Sequence, residues 1–311
     1  MAITVTQLNT FLAVIRGGSV TAAADQLLVT QPSVSSAISA LGRELGCELF
    51  ERSGRGVRLT EAGEAFVPYA ADVIGLLETG RQAAREASDA AAHRLRIIAV
   101  TTAAESFVPP LISAFSQLHP TIELTFDVDN RRVVLERILS HGADVAVLGR
   151  PPADERLGAE PLAPNEIVCI AAPDDPAVGR TRVPVAELAD RPWLLREPGS
   201  GTRSLNESLL DERGITPRTL TLGSNGAIKQ AARAGLGVSL ISRVAVEDEL
   251  SSGQLGEIAL LDGPPQRTWF VVHSAVGPMR EVVRSFLGFV AEHGEPRPPL
   301  TGRTDVARSR R

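Results

Sequence analysis

The sequence contains few of the residues that would assign it to several common protein classes. Among 311 residues there are two cysteines, Cys47 and Cys169, and a single lysine, Lys229. Two cysteines in different predicted domains form no disulfide framework and fit free thiols in a reducing compartment, where we expect small hydrophobic residues rather than a redox switch. The five histidines are scattered without a metal-ligand spacing, so no metal site is expected.

Membrane and secretion signals are also missing. The N-terminus has no basic segment followed by an apolar one, and no apolar run is long enough to span a bilayer, so a cytoplasmic protein is expected. The net charge of −5 excludes a protein that coats nucleic acid over its whole surface. With 43% hydrophobic residues, a chain of this length can form two or three domains with their own cores.

Residues 19–45 predict two short helices separated by a tight turn. Ser19 and Thr30 are the expected N-cap residues, and apolar residues from Val34 to Leu45 give the second helix one buried stripe. The opposite face carries small hydroxyl groups, which suit a helix that lies in the major groove of DNA. The candidate DNA-contacting residues of this helix are Thr30, Gln31, Pro32, Ser33, Ser36, Ser39 and Arg43.

This pattern has two interpretations, because helix pairs with tight links also occur in all-helical cores. The next segment, 48–60, favours a winged helix-turn-helix. It alternates apolar and polar residues around a glycine-containing turn and predicts a hairpin whose Arg52, Arg55 and Arg58 can bind phosphates. The alternative for these arginines is a solvated basic turn.

A long helix is predicted over residues 61–92. Thr6 and Thr60 are expected to cap the first helix of the chain and this long one, and Pro68 predicts a bend. Apolar residues that alternate four and three positions apart predict a coiled-coil seam, and a dimer would present two recognition helices to an inverted-repeat operator. The alternative is a helix packed on its own domain. The expected dimer contacts are Phe66, Ala70, Val73 and Leu77.

From Leu95 onward, strand and helix patterns alternate. This order predicts a parallel sheet with helices on its faces, and its repetition predicts two lobes joined by crossing segments near Pro161 and Pro264. The predicted strands are 95–100, 122–128, 144–148, 166–171, 219–222, 238–241 and 269–273, and the predicted helices are 107–118, 133–141, 203–213, 227–234 and 278–293.

Several short polar stretches lie where predicted helices begin. Helix N-termini converge at the carboxyl ends of parallel strands and bind anions there. The glycine-rich loop 197–203 lets backbone N–H groups approach an anion, whereas simple helix capping is the alternative for Thr102 and Ser224. The candidate residues for a small organic anion are Thr101, Thr102, Ser200, Gly201, Thr202, Arg203, Ser224 and Asn225, with Asn130, Gly149 and Arg150 as secondary candidates.

An enzymatic function has little support in the sequence. Ser200 does not lie in a G-x-S-x-G motif, and Gly199 and Gly201 lack the third glycine and the acidic partner of a dinucleotide fingerprint. No catalytic residue and no cofactor are therefore expected. The segment 295–311 is rich in proline and arginine and is predicted to be a disordered tail.

Residues 7–63 carry the motifs AAA-x-x-L, T-Q-P-S-V-S, I-x-x-L-x-x-x-L-G, L-F-x-R and L-T-x-A-G. In this order and spacing the segment closely resembles the N-terminal domain of LysR-type transcriptional regulators. The resemblance extends through the two-lobed pattern to about residue 294. The loop 197–203 is also similar to that of family members that sense central-metabolism or carbon-fixation metabolites.

The resemblance implies an α+β multidomain chain with a winged helix-turn-helix (1–60), a linker and dimerisation helix (61–92) and a periplasmic-binding-protein-like effector domain (93–294). Lobe I would comprise 93–162 and 266–294, and lobe II 163–265. The implied partners are double-stranded DNA, a small anionic effector, a second copy of the chain in a homodimer or homotetramer, and possible contact with RNA polymerase. The alternative is a two-lobed solute-binding protein or enzyme with a helical N-terminal partner module.

Overall fold

The computed structural model describes residues 2–53, 56–88, 93–261, 263–264 and 266–293. Three helices and a hairpin form the N-terminal module, and a long helix leads out of it. The strands of the hairpin pair antiparallel, from Phe50 opposite Leu59 to Ser53 opposite Gly56. These elements are α1 (Val5–Gly17), α2 (Val20–Leu27), α3 (Gln31–Leu45), β1 (Phe50–Ser53), β2 (Gly56–Leu59) and α4 (Glu61–Ser88).

Side-chain caps fix where these helices begin. Ser19 accepts a hydrogen bond from the Ala22 amide and Thr30 one from the Ser33 amide, as predicted. The predicted cap of α1 is wrong, because Thr6 lies inside that helix. Thr4 caps α1 instead, since Gln7 three residues later closes a reciprocal capping box with it.

The core of the N-terminal module lies where α1, α3 and α4 meet. Phe11 of α1 is fully buried, and its ring centroid lies 5.4 Å from that of Phe50 and 5.5 Å from that of Phe66. Leu41 of α3 and Ala70 of α4 close the same cluster. The recognition helix is thus held by its apolar stripe, as its periodicity predicted.

This packing corrects the predicted dimer seam on α4. Ala70 is fully buried against the chain's own module, so its side chain is not available to a second copy, and the partly buried Phe66 packs against the same cluster. Val73 and Leu77 remain exposed, together with Tyr69. The predicted seam combined residues from two different faces of α4, one that packs into the helix-turn-helix core and one that is exposed. The first turns of α4 belong to that core. The helix continues without interruption through Pro68.

The rest of the described chain forms two α/β lobes. The strands are β3 (Arg94–Val100), β4 (Glu123–Asp129), β5 (Val145–Leu148), β6 (Leu157–Asn165), β7 (Ile167–Ala171), β8 (Trp193–Arg196), β9 (Thr219–Leu222), β10 (Ser239–Ser242), β11 (Gly256–Ile258) and β12 (Arg267–Ser274). The helices are α5 (Thr101–Ser106), α6 (Val108–Leu118), α7 (Arg131–Leu139), α8 (Gly201–Glu212), α9 (Asn225–Arg233), α10 (Glu247–Ser251) and α11 (Glu281–His293).

Lobe I is built on a five-stranded sheet in the order β4-β3-β5-β12-β6. β3 pairs parallel with β4 and β5, whereas β12 pairs antiparallel with β5 and β6. The parallel pairing predicted for the first three strands is confirmed, and β12 runs in the opposite direction because the chain returns there from lobe II. Alternate residues of β3 face two cores: Leu95 and Ile97 pack with α11, and Ile98 packs with α7.

Lobe II has an antiparallel sheet in the order β10-β7-β11 and a parallel pair, β8 with β9. An isolated parallel bridge between Trp193 and Val238 connects the two groups. Neither β6 nor β8 was predicted. β6 leads from lobe I to lobe II, and β8 lies within lobe II. In both places pairing with distant strands, and not the alternation of residues, determines strand formation.

The two thiols differ in environment, which gives a labelling prediction. Cys47 is exposed, whereas burial raises the pKa of the Cys169 thiol to about 12. At about pH 8 the native protein is expected to react with one equivalent of a thiol reagent, at Cys47, and with the second only after denaturation. Rapid labelling of both thiols in native buffer would contradict the buried position of Cys169.

Candidate functional site

The first candidate site is the outer face of α3. All seven residues predicted from this helix, Thr30, Gln31, Pro32, Ser33, Ser36, Ser39 and Arg43, are exposed, while Val34 and Leu41 are buried beneath them. The Thr30 and Ser33 hydroxyls lie 2.8 Å apart at the start of the helix. A convex rod with small hydroxyl groups can enter a major groove without a steric clash.

The hairpin beside α3 carries the wing arginines. Arg52 and Arg58 are exposed on β1 and β2, but Arg58 forms an ion pair with Glu51 on the opposite strand. Arg55 lies outside the described residues. Within the described hairpin, Arg52 is therefore the arginine whose charge is available for a phosphate.

The second candidate site is a cavity of about 270 Å³ between the two lobes. It lies where several strands end and helices begin, as expected for open α/β sheets. α5 contributes Thr101 and Thr102 after β3, and α8 contributes its first turn. Eight of the eleven effector residues predicted from the sequence line this cavity: Thr101, Thr102, Asn130, Gly149, Arg150, Ser200, Gly201 and Thr202.

The remaining three predicted residues do not line the cavity. Arg203 is bound to Glu207 at 2.7 Å and to the Arg196 carbonyl at 3.1 Å, so its guanidinium supports α8. Ser224 caps α9 by accepting a hydrogen bond from the Ala227 amide. The sequence pattern located these helix starts correctly but could not show that both side chains turn to their own helices.

Asn225 occupies a different position, between the lobes. Its side chain is buried and accepts a 2.6 Å hydrogen bond from Arg196 of lobe II. Its amide group donates to Thr102 at 3.1 Å and to Glu105 at 2.9 Å, both in lobe I. Asn225 therefore ties one lobe to the other directly behind the cavity wall.

Four arginines line the cavity, and its lining contains no acidic residue. Arg150 was a secondary candidate, but sequence reasoning missed Arg131, Arg196 and Arg267. Arg131 directly follows the predicted Asn130, which was the available signal. The other two come from β8 and β12, and only the tertiary fold brings them here.

Three of these guanidinium groups repel one another. Desolvation, followed by the charges of Arg267 and Arg150, lowers the pKa of Arg131. Desolvation and the charge of Arg150 likewise lower the pKa of Arg267, against a smaller opposing effect of Glu212. Arg196 is different, since Glu197 binds it through two hydrogen bonds. The cavity thus holds positive charge that its own lining does not neutralise.

The wall also contains an unsatisfied donor. Trp269 is 3% exposed and lines the cavity, with its ring 5.4 Å from that of Phe107. Its indole Nε1 has no hydrogen-bond acceptor among the described residues. The Nε1 atom is itself enclosed, so it is a buried donor within the wall and not a contact point inside the cavity.

Two family models together match most of the chain. The bacterial regulatory helix-turn-helix of the lysR family matches residues 5–64, and the LysR substrate binding domain matches residues 88–295. The chain belongs to the LysR family of transcriptional regulators. It therefore combines a DNA-binding helix-turn-helix with an effector-binding domain, which confirms the fold class and the general function predicted from the sequence.

Similar proteins confirm the resemblance to the carbon-fixation subgroup. The RuBisCO operon transcriptional regulator of Allochromatium vinosum is 36% identical over 293 residues, with 92% of this chain and 97% of that protein covered. CbbR of Rhodospirillum rubrum is 37% identical over 285 residues, with 90% and 94% covered. The CcmR regulatory domain of Synechocystis PCC6803, solved in complex with 2-PG, is 31% identical with a TM-score of 0.62, and covers 66% of this chain and 99% of that one.

No described helix is long and apolar enough to cross a membrane. The described part of the chain also contains no group of three or more His, Cys, Asp or Glu side chains placed to hold a metal ion.

Proposed function

We propose that this LysR-type regulator binds an inverted-repeat promoter site as a dimer or tetramer, and that a small multiply charged anion in the interlobe cavity controls its action. It has no enzymatic role in this proposal. The exposed hydroxyl face of α3 supports DNA reading most directly, because its stripe of buried apolar residues leaves Ser33, Ser36 and Ser39 on the surface.

The proposed division of the chain follows the same functions. Residues 1–60 read DNA, 61–92 link and dimerise, and 93–294 bind the effector, with lobe I formed by 93–162 and 266–294 and lobe II by 163–265. Residues 294–311, which include the predicted tail 295–311, lie outside the described residues.

The proposed dimer face is the exposed side of α4. Tyr69, Val73 and Leu77 recur four residues apart and are 69%, 51% and 36% exposed. Apolar side chains at this spacing form one stripe along a helix, and a second copy of the stripe would cover it. This face replaces the predicted seam, of which only Val73 and Leu77 remain.

The effector class follows from the charges in the cavity. Arg131, Arg150 and Arg267 need more than one negative charge to offset their repulsion. Hydroxyls and helix N-termini at Thr102 and Thr202 supply donors on another wall. A small carboxylate that also carries a phosphate would satisfy both groups, and the similar CcmR domain was solved with 2-PG.

The test of DNA binding is a gel-shift titration of the full chain with an inverted-repeat promoter fragment from beside its gene, over a series of salt concentrations. We expect a shift that prefers this fragment over scrambled DNA and weakens as salt rises. Absence of a sequence-preferring, salt-sensitive shift would instead favour a two-lobed solute-binding protein or enzyme. The same titration repeated with 2-PG present tests the effector, which should change the affinity for the promoter fragment.

Two substitutions separate base reading from phosphate binding. Ser36→Ala should reduce the preference for the operator over scrambled DNA by about 2- to 10-fold, because one hydrogen bond to a base edge is lost. Arg52→Ala should weaken binding to both DNAs alike and reduce the salt slope by about 1. Arg180→Ala, an exposed arginine of lobe II paired with Glu187, is the control and should change neither. A change of preference in Arg52→Ala would refute the phosphate assignment.

A further inference from the structure

Helix α7 runs from the effector cavity to the linker helix. At its first residues, the Asn130 side chain caps the helix by accepting a 3.2 Å hydrogen bond from the Val133 amide, and Arg131 lines the cavity. At its other end, His141 follows the last turn and lies against α4. One short helix therefore contacts both the ligand site and the element that carries the DNA-binding module.

The contact at the far end of α7 is close and specific. The His141 side chain is 6% exposed, and its Nε2 donates to the Asp72 carboxylate of α4 at 3.1 Å. A Cβ on Gly75 of α4 would lie 2.4 Å from the imidazole ring, so the absence of a side chain there lets the ring pack on the helix backbone.

His141 is held in an unusual conformation to make this contact. Its φ is 55°, in the left-handed region that non-glycine residues seldom adopt. The Gly142 amide returns to the Arg137 carbonyl at 2.7 Å and the His141 amide to the Ile138 carbonyl at 3.2 Å, which closes the end of α7. The backbone that carries the ring is therefore joined to the helix terminus by these hydrogen bonds.

The body of α7 is suited to transmit such a movement. Val134 and Ile138 are fully buried against the sheet of lobe I, so the helix is held along its length. A short packed helix responds to a change at one end as a unit, because its hydrogen bonds resist bending.

We propose that α7 is a strut and that His141 is a positioning residue, which together couple the occupancy of the effector cavity to the placement of α4 and hence of the DNA-binding module. This inference goes beyond the proposed function, since it names the path between the two sites. It does not depend on which anion binds.

Hydrogen exchange of the full-length protein without DNA or effector tests the strut. Asn130→Ala removes the cap at the cavity end of α7 and should speed exchange of the α4 amides over residues 72–79 by about three- to tenfold. Ser224→Ala is the matched control, because it removes the equivalent cap of α9 in lobe II and should leave these amides unchanged.

The role of His141 is tested by repeating the Asn130→Ala comparison in two backgrounds. Asn accepts the left-handed conformation, so His141→Asn removes the ring while retaining the backbone. Gly75→Ala breaks the same contact from the α4 side and serves if the first variant does not fold. In both backgrounds the effect of Asn130→Ala on α4 should disappear.

Three results would overturn the proposal. They are unchanged α4 exchange in Asn130→Ala, an equal effect of Ser224→Ala, and an effect of Asn130→Ala that persists without the His141 contact. Because neither DNA nor an anion is present, failure here leaves the proposed function untouched, and failure to bind 2-PG or an operator leaves this coupling untouched.

Discussion

The double variant Arg131→Met, Arg267→Met should bind 2-PG at least about 100-fold more weakly than the native protein, yet its ligand-free form should be more stable. Each arginine can make a charge-assisted hydrogen bond to an anion, worth about 1.5–3 kcal/mol, so losing two reduces affinity by this factor or more. In the empty cavity the same groups are desolvated and repel each other and Arg150, which lowers their pKa values. Methionine removes that unfavourable energy while filling similar volume.

Titration calorimetry with 2-PG and thermal unfolding of the ligand-free proteins measure the two effects. Arg132→Met is the matched control, because Arg132 is adjacent to Arg131 but is 60% exposed, pairs with Glu136 and does not line the cavity. It should change neither affinity nor stability by more than about 1 kcal/mol. Unchanged affinity in the double variant would remove these arginines from the effector site, and a lower melting temperature would show that they stabilise the empty protein.

Opposite signs of these two effects would mean that the arginine cluster favours the ligand-bound state over the ligand-free one. The arginines of the ligand-free cavity repel one another, and a bound anion removes this repulsion. Part of the binding free energy can therefore favour the arrangement of the lobes that holds the anion. Asn225 links this cavity to the boundary between the lobes, because its side chain hydrogen-bonds Arg196 of lobe II and Thr102 and Glu105 of lobe I. Ligand binding to Arg196 or Thr102 would compete with a bond that already joins the lobes.

The N-terminal reading module was largely predictable from the sequence, because its determinants are local. The caps Ser19 and Thr30 and the stripe from Val34 to Leu45 act within a few residues of chain. They fix which face of α3 is buried, and therefore which serines are exposed. The cap of α1 was wrong by two positions only because Gln7 forms its reciprocal bond with Thr4.

The errors occurred where distant segments decide the environment. Phe66 and Ala70 have the spacing of a dimer seam, but the aromatic ring of Phe11, brought by α1, covers the first turns of α4. Arg196 and Arg267 could not be assigned to the cavity, because β8 was not predicted and β12 reaches it by an antiparallel return. The helix starts that line the cavity were predictable, since helix caps and glycines mark them in the sequence.

Arg280→Met should lower the free energy of unfolding by about 3 kcal/mol, because it leaves buried charge without its partner. The Arg280 side chain is 4% exposed and binds Glu86 of α4 at 2.5 Å, Asp144 at 2.7 Å and the Arg94 carbonyl at 3.1 Å. Asp144 retains Arg96, but Glu86, only 8% exposed, loses its ion pair. Urea denaturation measures the change, and Arg284→Met, in the first turn of α11 and in an exposed pair with Glu281, should cost less than about 1 kcal/mol.

The double variant Glu86→Leu, Arg280→Met separates buried charge from lost packing as the cause. If uncompensated charge dominates, removing Glu86 as well should restore much of the stability, so the double variant should be more stable than Arg280→Met alone. If the double variant is instead less stable than Arg280→Met, the ion pair of Glu86 with Arg280 stabilises the junction between α4 and lobe I by more than the burial of its charges costs. Recovery would mean that this junction is fixed chiefly by packing and by His141 on Gly75, with the ion pair determining its geometry rather than its strength.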